Sequence, residues 1–326
     1  MKAKSTSQTA RMVIKKLMVI WISALVLPMS AVFGATTIWV DGADSWFDGT
    51  NWSNGEPDLT TDAQINNGGT AQITLNAPQA VARSITLGLN ADDSGTVEVG
   101  PPFGGLTVEE GIFVGYRGKG ELTINDGDTV TSATASIASL TNQLLPPSYG
   151  SATLVGGGIW TVTGRFDVGG YNDSPGGVAL LSVGNGATVS AGNVRVYNSG
   201  TLTGNGNVTT NNGTTIEGTL TPSGGTLTIN GDLTFSGLNP TMECNVVPAR
   251  ADHVDVSGLA SLTGKISVTM TGTTFTAGTT YTLLHAGTRD GTFPFVSIKR
   301  GSGDCFTPVV TYDAHNVNLY LSPCSN

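Results

Sequence analysis

One stretch, from Gly200 to Gly237, limits the fold of this chain more than any other. It reads GTLTGNGNVTTNNGTTIEGTLTPSGGTLTINGDLTFSG, and its branched apolar residues alternate with Thr between frequent Gly, Asn, Asp or Pro. Alternation at period two is typical of short strands that bury one face. The interruptions favour turns, because Gly and Asn tolerate positive φ, and the same residues disfavour a helix. The stretch therefore predicts an all-β fold of short strands and frequent corners.

The composition extends this prediction along the chain. Of the 326 residues, 45 are Gly and only 12% are charged, which is about half the usual charged share of a globular protein. Gly and Pro together stay below the level that is typical of a disordered low-complexity chain. Apolar residues are spread evenly along the sequence, and this favours a long, thin core over a thick globular one.

The first 34 residues have the layout of a secretory signal peptide, and we predict a signal helix here. Met1–Lys16 carries five basic residues and no acid, and Leu17–Phe33 is an uncharged apolar run. Val32 and Gly34 are small residues placed for cleavage after Gly34. An uncleaved anchor is the alternative, since the apolar run is near the lower length limit of a membrane span. Pro28 and the small-residue ending favour cleavage, and we expect no membrane span in the mature chain.

The charge balance argues against a nucleic-acid partner. Without the leader, 10 basic residues face 24 acidic residues, a net charge of −14. Such a surface repels phosphate backbones and anionic lipid headgroups, and it has no Lys/Arg cluster to neutralise them. We therefore predict that the chain binds no nucleic acid.

Internal self-similarity indicates a solenoid. The block from Ile112 to Val130 has a partner from Arg165 to Val189. Both contain an apolar residue, then Val-Gly and a Tyr, and both continue into a glycine-rich turn and an apolar triplet. Val114 and Val168 are 54 residues apart, a spacing consistent with two coils of about 27 residues each. Repeats of this length stack on one another. We expect about nine coils, spaced by the roughly 4.8 Å that separates paired strands.

At this point the sequence resembles a known family. The run from Gly200 to Gly237, with the segments 251–270, 275–298 and 306–321, is similar to the strand repeats and C-terminal stem of bacterial autotransporter passenger domains. The resemblance implies a right-handed parallel β-helix, with repeats over 106–238 and a stem-like cap over 239–326. The family's C-terminal β-barrel is not found after Leu321. We therefore expect release of the protein, or its attachment by a separate secretion or anchoring component.

Aromatic residues concentrate just after the leader, in the segment 35–105 that we assign to an N-terminal cap and the first coils. Trp39, Trp46, Phe47 and Trp52 lie within 14 residues of one another. Bulky aromatics can close the open end of a strand stack, and we favour this role. The alternative is carbohydrate contact, in which Trp46 and Trp52 stack on sugar rings.

A β-sandwich or antiparallel meander is the competing fold. Asp126-Gly127 and Asn230-Gly231 lie between alternating strands, as in two-residue hairpins. The repeat favours parallel coils for residues 106–235 instead. Near the C-terminus, Asp313–Asn316 can join two antiparallel strands, so we expect a partly antiparallel C-terminal cap.

Three cysteines allow one disulfide. They are Cys244, Cys305 and Cys324, and an exported chain can form such bonds. Cys305 and Cys324 flank the final strand pair, so we favour a bridge between them. No Cys or His spacing typical of a zinc site is present.

The sequence contains no arrangement that predicts catalysis. Asp252 and His253 are adjacent, but adjacent strand residues point to opposite faces. No Gly-x-Ser-x-Gly elbow occurs, and the acids lie in turns with few nearby basic residues. We therefore predict no enzyme activity and no cofactor. The alternative to a protein without a cofactor is weak calcium binding by Asp126 and Asp128. The alternative to a protein without enzyme activity is a polysaccharide lyase or glycosidase.

Together these observations predict an exported, non-enzymatic β-solenoid at the cell surface or in the extracellular space. We expect an outer-membrane-associated or secreted adhesin-like or structural protein whose loops contact glycans or matrix proteins. The alternatives are a periplasmic location and a polysaccharide-acting or carbohydrate-binding β-helix protein.

Overall fold

A computed structural model describes residues 34–74, 79–101, 103–140, 147–301 and 305–324. In these residues about 10 turns of chain stack into a β-solenoid that is about 1% helical. The helical part is a 3₁₀ turn at Gly49–Asn51. The predicted signal helix lies outside the described residues, apart from its last residue, Gly34. No helix in the described part is long and apolar enough to cross a membrane.

Short strands make up most of the described chain. Numbered in chain order, they are β1 (Ala35–Ile38), β2 (Ala43–Ser45), β3 (Thr61–Ile65), β4 (Asn67–Ile73), β5 (Ala80–Ala82), β6 (Ser84–Leu87), β7 (Ser94–Val99), β8 (Gly105–Val114), β9 (Lys119–Ile124), β10 (Thr129–Ile137), β11 (Tyr149–Leu154), β12 (Ile159–Val168), β13 (Gly170–Tyr171), β14 (Ser174–Pro175), β15 (Val178–Val183), β16 (Thr188–Val196), β17 (Gly200–Gly204), β18 (Asn207–Thr210), β19 (Thr214–Ile216), β20 (Thr219–Pro222), β21 (Thr226–Asn230), β22 (Leu233–Phe235), β23 (Thr241–Val247), β24 (Arg250–Ala251), β25 (His253–Leu262), β26 (Lys265–Met270), β27 (Thr280–Gly291), β28 (Phe295–Lys299), β29 (Phe306–Tyr312) and β30 (Asn316–Pro323).

These strands form two long sheets. The large sheet contains 16 strands in the described residues and the small sheet contains 12, while β13 and β14 pair only with each other. Successive turns contribute strands to both sheets alternately, so that β8, β10 and β12 are neighbours in one sheet and β9, β11 and β15 in the other. From the first turn to β28, the pairing between turns is parallel.

The parallel pairing confirms the predicted solenoid, and the hairpin interpretation of the central region is wrong. Asp126-Gly127 is a corner between β9 and β10, which belong to different sheets. Asn230-Gly231 separates β21 from β22, which are both parallel strands of the large sheet, so neither pair forms a two-residue hairpin. Val114 pairs with Ile137, and Ile137 pairs with Val168, so two turns separate the repeated blocks, as predicted. The two turns differ in length, at 23 and 31 residues. The right-handed coil implied by the resemblance stays a prediction, as do the proposed segment boundaries.

From β5 and β6 onwards, the turns of the parallel region contribute two strand segments each to the large sheet. In β10 the pairing shifts between Ser132 and Thr134, and in β12 it shifts between Val162 and Arg165. Such bulges bend a strand. In later turns the chain breaks at the same place, giving separate strands such as β18 and β19.

The core is built from inward positions that lie above one another in successive turns. On the small sheet one such column follows the register of the strands and is almost completely buried: Ala71, Val97, Leu122, Ala152, Leu181, Leu202, Leu220, Met242 and Ile266. Outward positions between them are mostly Thr, Ser and Glu. Burying each apolar side chain contributes about 1.5–3 kcal/mol for a Val or Leu. The alternation seen in the sequence is therefore the alternation between core and solvent.

The tryptophan cluster packs against the first turns as the predicted aromatic cap. Trp39, Trp46 and Trp52 are 1%, 0% and 3% exposed and belong to the continuous hydrophobic core. Trp52 lies edge-on to each of the other two rings, with centroids 4.9 Å apart. Its Nε1–H donates to the backbone oxygen of Trp46 at 2.9 Å. The polar end of Trp52 is thus satisfied inside the cap.

The C-terminal end is partly antiparallel, as predicted. The strand β30 pairs antiparallel with both β27 and β29, and the Asp313–Asn316 turn joins β29 to β30. The small sheet is closed less completely. In the described residues its last strand, β28, pairs only with β26, and Val296 is 47% exposed although it continues an otherwise buried column beyond Ile266.

Candidate functional site

A hairpin inserted into one turn is the main departure from the regular coil. The strands β13 and β14 are joined by Asn172 and Asp173, whose φ values of 47° and 64° are both positive. This is the backbone of a two-residue type I′ turn. Gly176 follows the hairpin, and a Cβ atom there would lie only 2.1 Å from the backbone oxygen of Ala138. The glycines that frame the insertion therefore let it lie directly against the preceding turn.

The hairpin covers an outward column of the large sheet. Ser136, Asp167 and Arg195 are register neighbours in three successive turns. The Ser136 hydroxyl donates to the backbone oxygen of Gly170 at 2.7 Å, and the Asp167 side chain is only 3% exposed. Outward positions that face solvent in other turns are here buried beneath the insertion.

Ion pairs hold the hairpin in place, and we call Arg165, Asp167, Asp173, Arg195 and Glu217 the charged cluster. Arg165 contacts Asp167 at 2.6 Å and Asp173 at 3.0 Å. Arg195 contacts Asp173 at 2.7 Å and Glu217 at 2.6 Å. The tip residue Asp173 thus forms ion pairs with arginines of two successive turns.

A buried tyrosine links the charged cluster to the backbone of the hairpin. The Tyr197 ring is fully buried, with the guanidinium carbon of Arg195 4.6 Å from its centroid. Its hydroxyl oxygen accepts hydrogen bonds from Arg165 and from the backbone N–H of Asp173. It also donates weakly to Asp167 at 3.4 Å.

The two aspartates of the cluster have opposite pKa shifts. Burial raises the pKa of Asp167, although hydrogen bonding and charge from Arg165 oppose the shift. The hydrogen bond from Arg165 lowers the pKa of the exposed Asp173, and Arg195 adds to this effect. Each carboxylate is paired with a guanidinium group, and these charge-assisted hydrogen bonds fix the hairpin on the large sheet.

An aromatic patch lies beside the charged cluster. Phe113 packs edge-on against Tyr171 of the hairpin, with ring centroids 5.3 Å apart, and against Tyr116 at 5.6 Å. All three rings are half-buried, and the exposed Arg117 lies over Tyr116. Partly exposed aromatics on a rigid base are typical of binding surfaces. We call Phe113, Tyr116 and Tyr171 the aromatic patch.

Sequence reasoning identified neither the charged cluster nor the aromatic patch. Tyr116 and Tyr171 were visible only as matching positions of the repeat. The signal that was available is the segment Tyr171–Pro175 between two Gly-Gly pairs, which marks an insertion in one copy.

Trp46 and Trp52, the residues predicted for carbohydrate contact, lie inside the cap. Trp46 is completely buried and Trp52 is 3% exposed. As placed, neither ring presents a face on which a sugar could stack, and the cap role accounts for both.

Cys305 and Cys324, the predicted disulfide partners, are brought together as free thiols. Both are exposed, and contact with the Cys305 thiol raises the pKa of Cys324. Cys244 is buried in the core. The disulfide stays a prediction.

Asp126 and Asp128, the residues considered for calcium, have different surroundings. Asp126 is exposed and accepts the backbone N–H of Gly157 at 2.5 Å. Asp128 is fully buried and accepts the N–H of Gly104 at 2.6 Å through Oδ1, while its Oδ2 has no hydrogen-bond partner among the described residues. Burial raises the pKa of Asp128. The described residues contain no group of three or more His, Cys, Asp or Glu that could hold a metal ion, and calcium binding by this pair stays a prediction.

Asp252 lies just before β25 and His253 is the first residue of that strand, and their side chains have different surroundings. Asp252 is 6% exposed, and the half-buried His253 instead contacts Thr226 on the outer surface at 3.2 Å. The other two histidines, His285 and His315, lie near each other at the junction of β27 and β30, with ring centroids 6.4 Å apart.

No protein-family model and no curated protein matches this chain. The stacked solenoid is consistent with a passenger-like β-helix protein.

Proposed function

We propose that this chain is an exported, non-enzymatic β-solenoid that presents surface loops for adhesive or structural contact outside the cytoplasm. The observation that carries the proposal is the braced hairpin: one turn of a regular scaffold is interrupted by a loop that holds Tyr171 against Phe113. Solenoids commonly use such insertions and their extended surfaces for binding.

The rigidity of the hairpin supports a binding role. Its tip is tied to two turns through Asp173, and its base is tied through Ser136. A loop fixed before binding loses little conformational entropy when a partner docks. The half-buried rings of the aromatic patch then supply contact area at low entropic cost.

The test is binding of the full chain to a panel of extracellular-matrix proteins and glycans, measured by biolayer interferometry. We expect Tyr171→Ser to weaken any specific binding at least about tenfold, the effect of losing one good aromatic contact. The matched control is Tyr149→Ser, which removes a tyrosine that is 40% exposed on the small sheet. Absence of binding across the panel, or equal losses for both variants, would count against the proposal.

Export is the part of the proposal that rests on the leader. Cell fractionation and N-terminal sequencing of the exported protein test it. We expect an N-terminus at Ala35 and recovery from the cell surface or medium. An intact N-terminus on membranes would favour the anchor alternative, and a soluble protein confined to the periplasm would contradict surface display. Crosslinking on intact cells tests for a separate anchoring component.

Carbohydrate binding or turnover is the second candidate, and the aromatic patch favours it. Phe113, Tyr116 and Tyr171 offer partly exposed ring faces beside the cation Arg117. Incubation with acidic and neutral polysaccharides, with and without calcium, separates the outcomes. Released oligosaccharides would establish a lyase or hydrolase, and retention without products would indicate a lectin-like protein.

A further inference from the structure

The two exposed cysteines occupy equivalent positions at the open end of the last strand pair. Cys305 directly precedes β29 and Cys324 directly follows β30. Phe306 and Pro323 are register neighbours in that antiparallel pair. The next pair outward is therefore Cys305 opposite Cys324.

This placement matches the geometry of a disulfide. Residues directly opposite one another in an antiparallel pair have Cα atoms about 4.5–5.5 Å apart. Disulfides join residues whose Cα atoms are about 4.4–6.8 Å apart. The Cys305 thiol raises the pKa of Cys324, which agrees with side chains that face each other across the strand pair. No rearrangement of the backbone is needed to join them.

The structure also argues against the two other possible disulfides, which would both involve Cys244. Three cysteines allow three intramolecular bridges, but Cys244 is 3% exposed and lies in the core opposite Val268. Burial raises the pKa of its thiol far above the usual range, which leaves Cys244 almost entirely in the unreactive thiol form. Only the pair at the C-terminal end is both adjacent and accessible.

We propose that Cys305 and Cys324 form an intramolecular disulfide that latches the C-terminal strand pair over the last turn of the large sheet. The oxidant is a small-molecule or protein disulfide. A thiolate of one cysteine attacks it, forms a mixed disulfide and releases one thiol. The second cysteine then attacks the mixed disulfide and releases the other thiol. Two protons and two electrons pass from the cysteines to the oxidant, which leaves as two thiols.

The latch acts on the strands that cover the end of the core. The inward residues of β30 are completely buried: Val317, Leu319 and Leu321. Phe306 at the start of β29 is 2% exposed. Terminal strands open locally at low free-energy cost unless they are tied down. A bond between the two free ends of the pair ties β29 to β30 where fraying would begin.

The bond itself is tested on the purified full chain, equilibrated with oxidised or reduced glutathione. We expect the oxidised protein to lose about 2 Da, the mass of the two hydrogens removed in forming one disulfide. Peptide mapping without reductant should yield a Cys305–Cys324 crosslink. Cys324→Ser should abolish the mass loss, and Cys244→Ala should retain it. Three alkylatable thiols after oxidation, or crosslinked dimers in place of the intramolecular bond, would overturn the proposal.

The latch effect is measured by hydrogen exchange of the same samples. We expect the backbone amides of 306–312 to exchange at least about tenfold more slowly in the oxidised protein, because local opening is suppressed. Peptides from 188–196, in the middle of the solenoid, serve as the internal control and should not change. Equal exchange of 306–312 in both redox states would show that the bond, if formed, latches nothing.

Discussion

Replacing Arg165 by Met tests whether the charged cluster stabilises the inserted hairpin. Arg165 is the main partner of Asp167, whose side chain is 3% exposed and whose other contacts are longer, at 3.3 Å to the N–H of Asn172 and 3.4 Å to Tyr197. Removing one member of a buried ion pair costs about 3–5 kcal/mol. Since the Arg165 side chain is 26% exposed, we expect the lower end, about 3 kcal/mol of unfolding free energy.

A second substitution should recover most of this loss. In Arg165→Met/Asp167→Asn no buried charge remains, and an apolar or neutral replacement of a buried pair is often close to neutral. We expect a coupling energy of about 2 kcal/mol in the double-mutant cycle. The matched control is Arg83→Met: Arg83 pairs with Asp62 and Glu110 on the same sheet, but these side chains are 21% and 59% exposed. Its loss should be below about 1 kcal/mol.

The cost of Arg165→Met should also depend on pH. Burial already raises the pKa of Asp167, and removal of the guanidinium raises it further. A group whose native pKa lies above its unfolded value stabilises the fold below the unfolded pKa, and this contribution disappears as pH rises through the native pKa. The penalty should therefore be largest at neutral pH and shrink on acidification.

The assay is urea-dependent hydrogen exchange of the peptides 159–168 and 188–196, which report on the turns joined by the cluster. A loss below about 1 kcal/mol at pH 7 would show that the pair behaves as a surface pair. A cost that stayed constant on acidification, or strictly additive single losses, would show that Asp167 does not depend on Arg165.

Two further perturbations test other parts of the fold. Asp128→Asn should stabilise the protein by about 1 kcal/mol at neutral pH, because it removes a buried, half-satisfied charge while an amide oxygen can still accept the N–H of Gly104. Burial raises the pKa of Asp128, so the wild-type protein loses stability as pH rises through the native pKa of this group and the buried carboxyl becomes charged. The stability advantage of Asp128→Asn should therefore grow from pH 3 to 6 in thermal scans. A difference that stays constant over this range would contradict the prediction. Val296→Lys on the free edge of β28 should slow heat-induced aggregation several-fold, because charges protect exposed sheet edges. Val178→Lys, which changes a valine 49% exposed on an internal strand, should have little effect, and equal light-scattering kinetics for the two variants would rule out the edge as the aggregation site.

The fold could be predicted from the sequence because the turns of the solenoid repeat the same local pattern, an alternation of apolar and polar residues along short strands. Leu202, Leu220 and Ile229 alternate with Thr in the sequence, and all three are fully buried. The Trp39–Trp52 segment was readable as a cap because large aromatics are concentrated where the stack begins. Both predictions depend on local pattern, and neither requires knowledge of which strands are neighbours.

The candidate site was not readable because it depends on register between turns. Arg165 and Asp167 belong to one turn, Arg195 to the next and Glu217 to the one after. Turn lengths vary: Val114 pairs with a residue 23 positions later, and Val196 pairs with Ile216 only 20 positions later. With a period this irregular, residue spacing alone does not show which side chains meet. The hairpin adds to the difficulty, since it buries outward positions that the alternation marks as exposed.

The parallel pairing of each turn with the preceding one also allows the protein to be built one turn at a time. A turn needs only the surface of its predecessor as a template, so nucleation at the tryptophan-rich end suffices to start a process that advances one winding at a time. A polypeptide that emerges amino end first from a narrow pore could therefore consolidate while its remainder is still extended. Each winding added on the far side would hinder backward slippage, and the energy of packing would thereby be converted into directed movement of the chain.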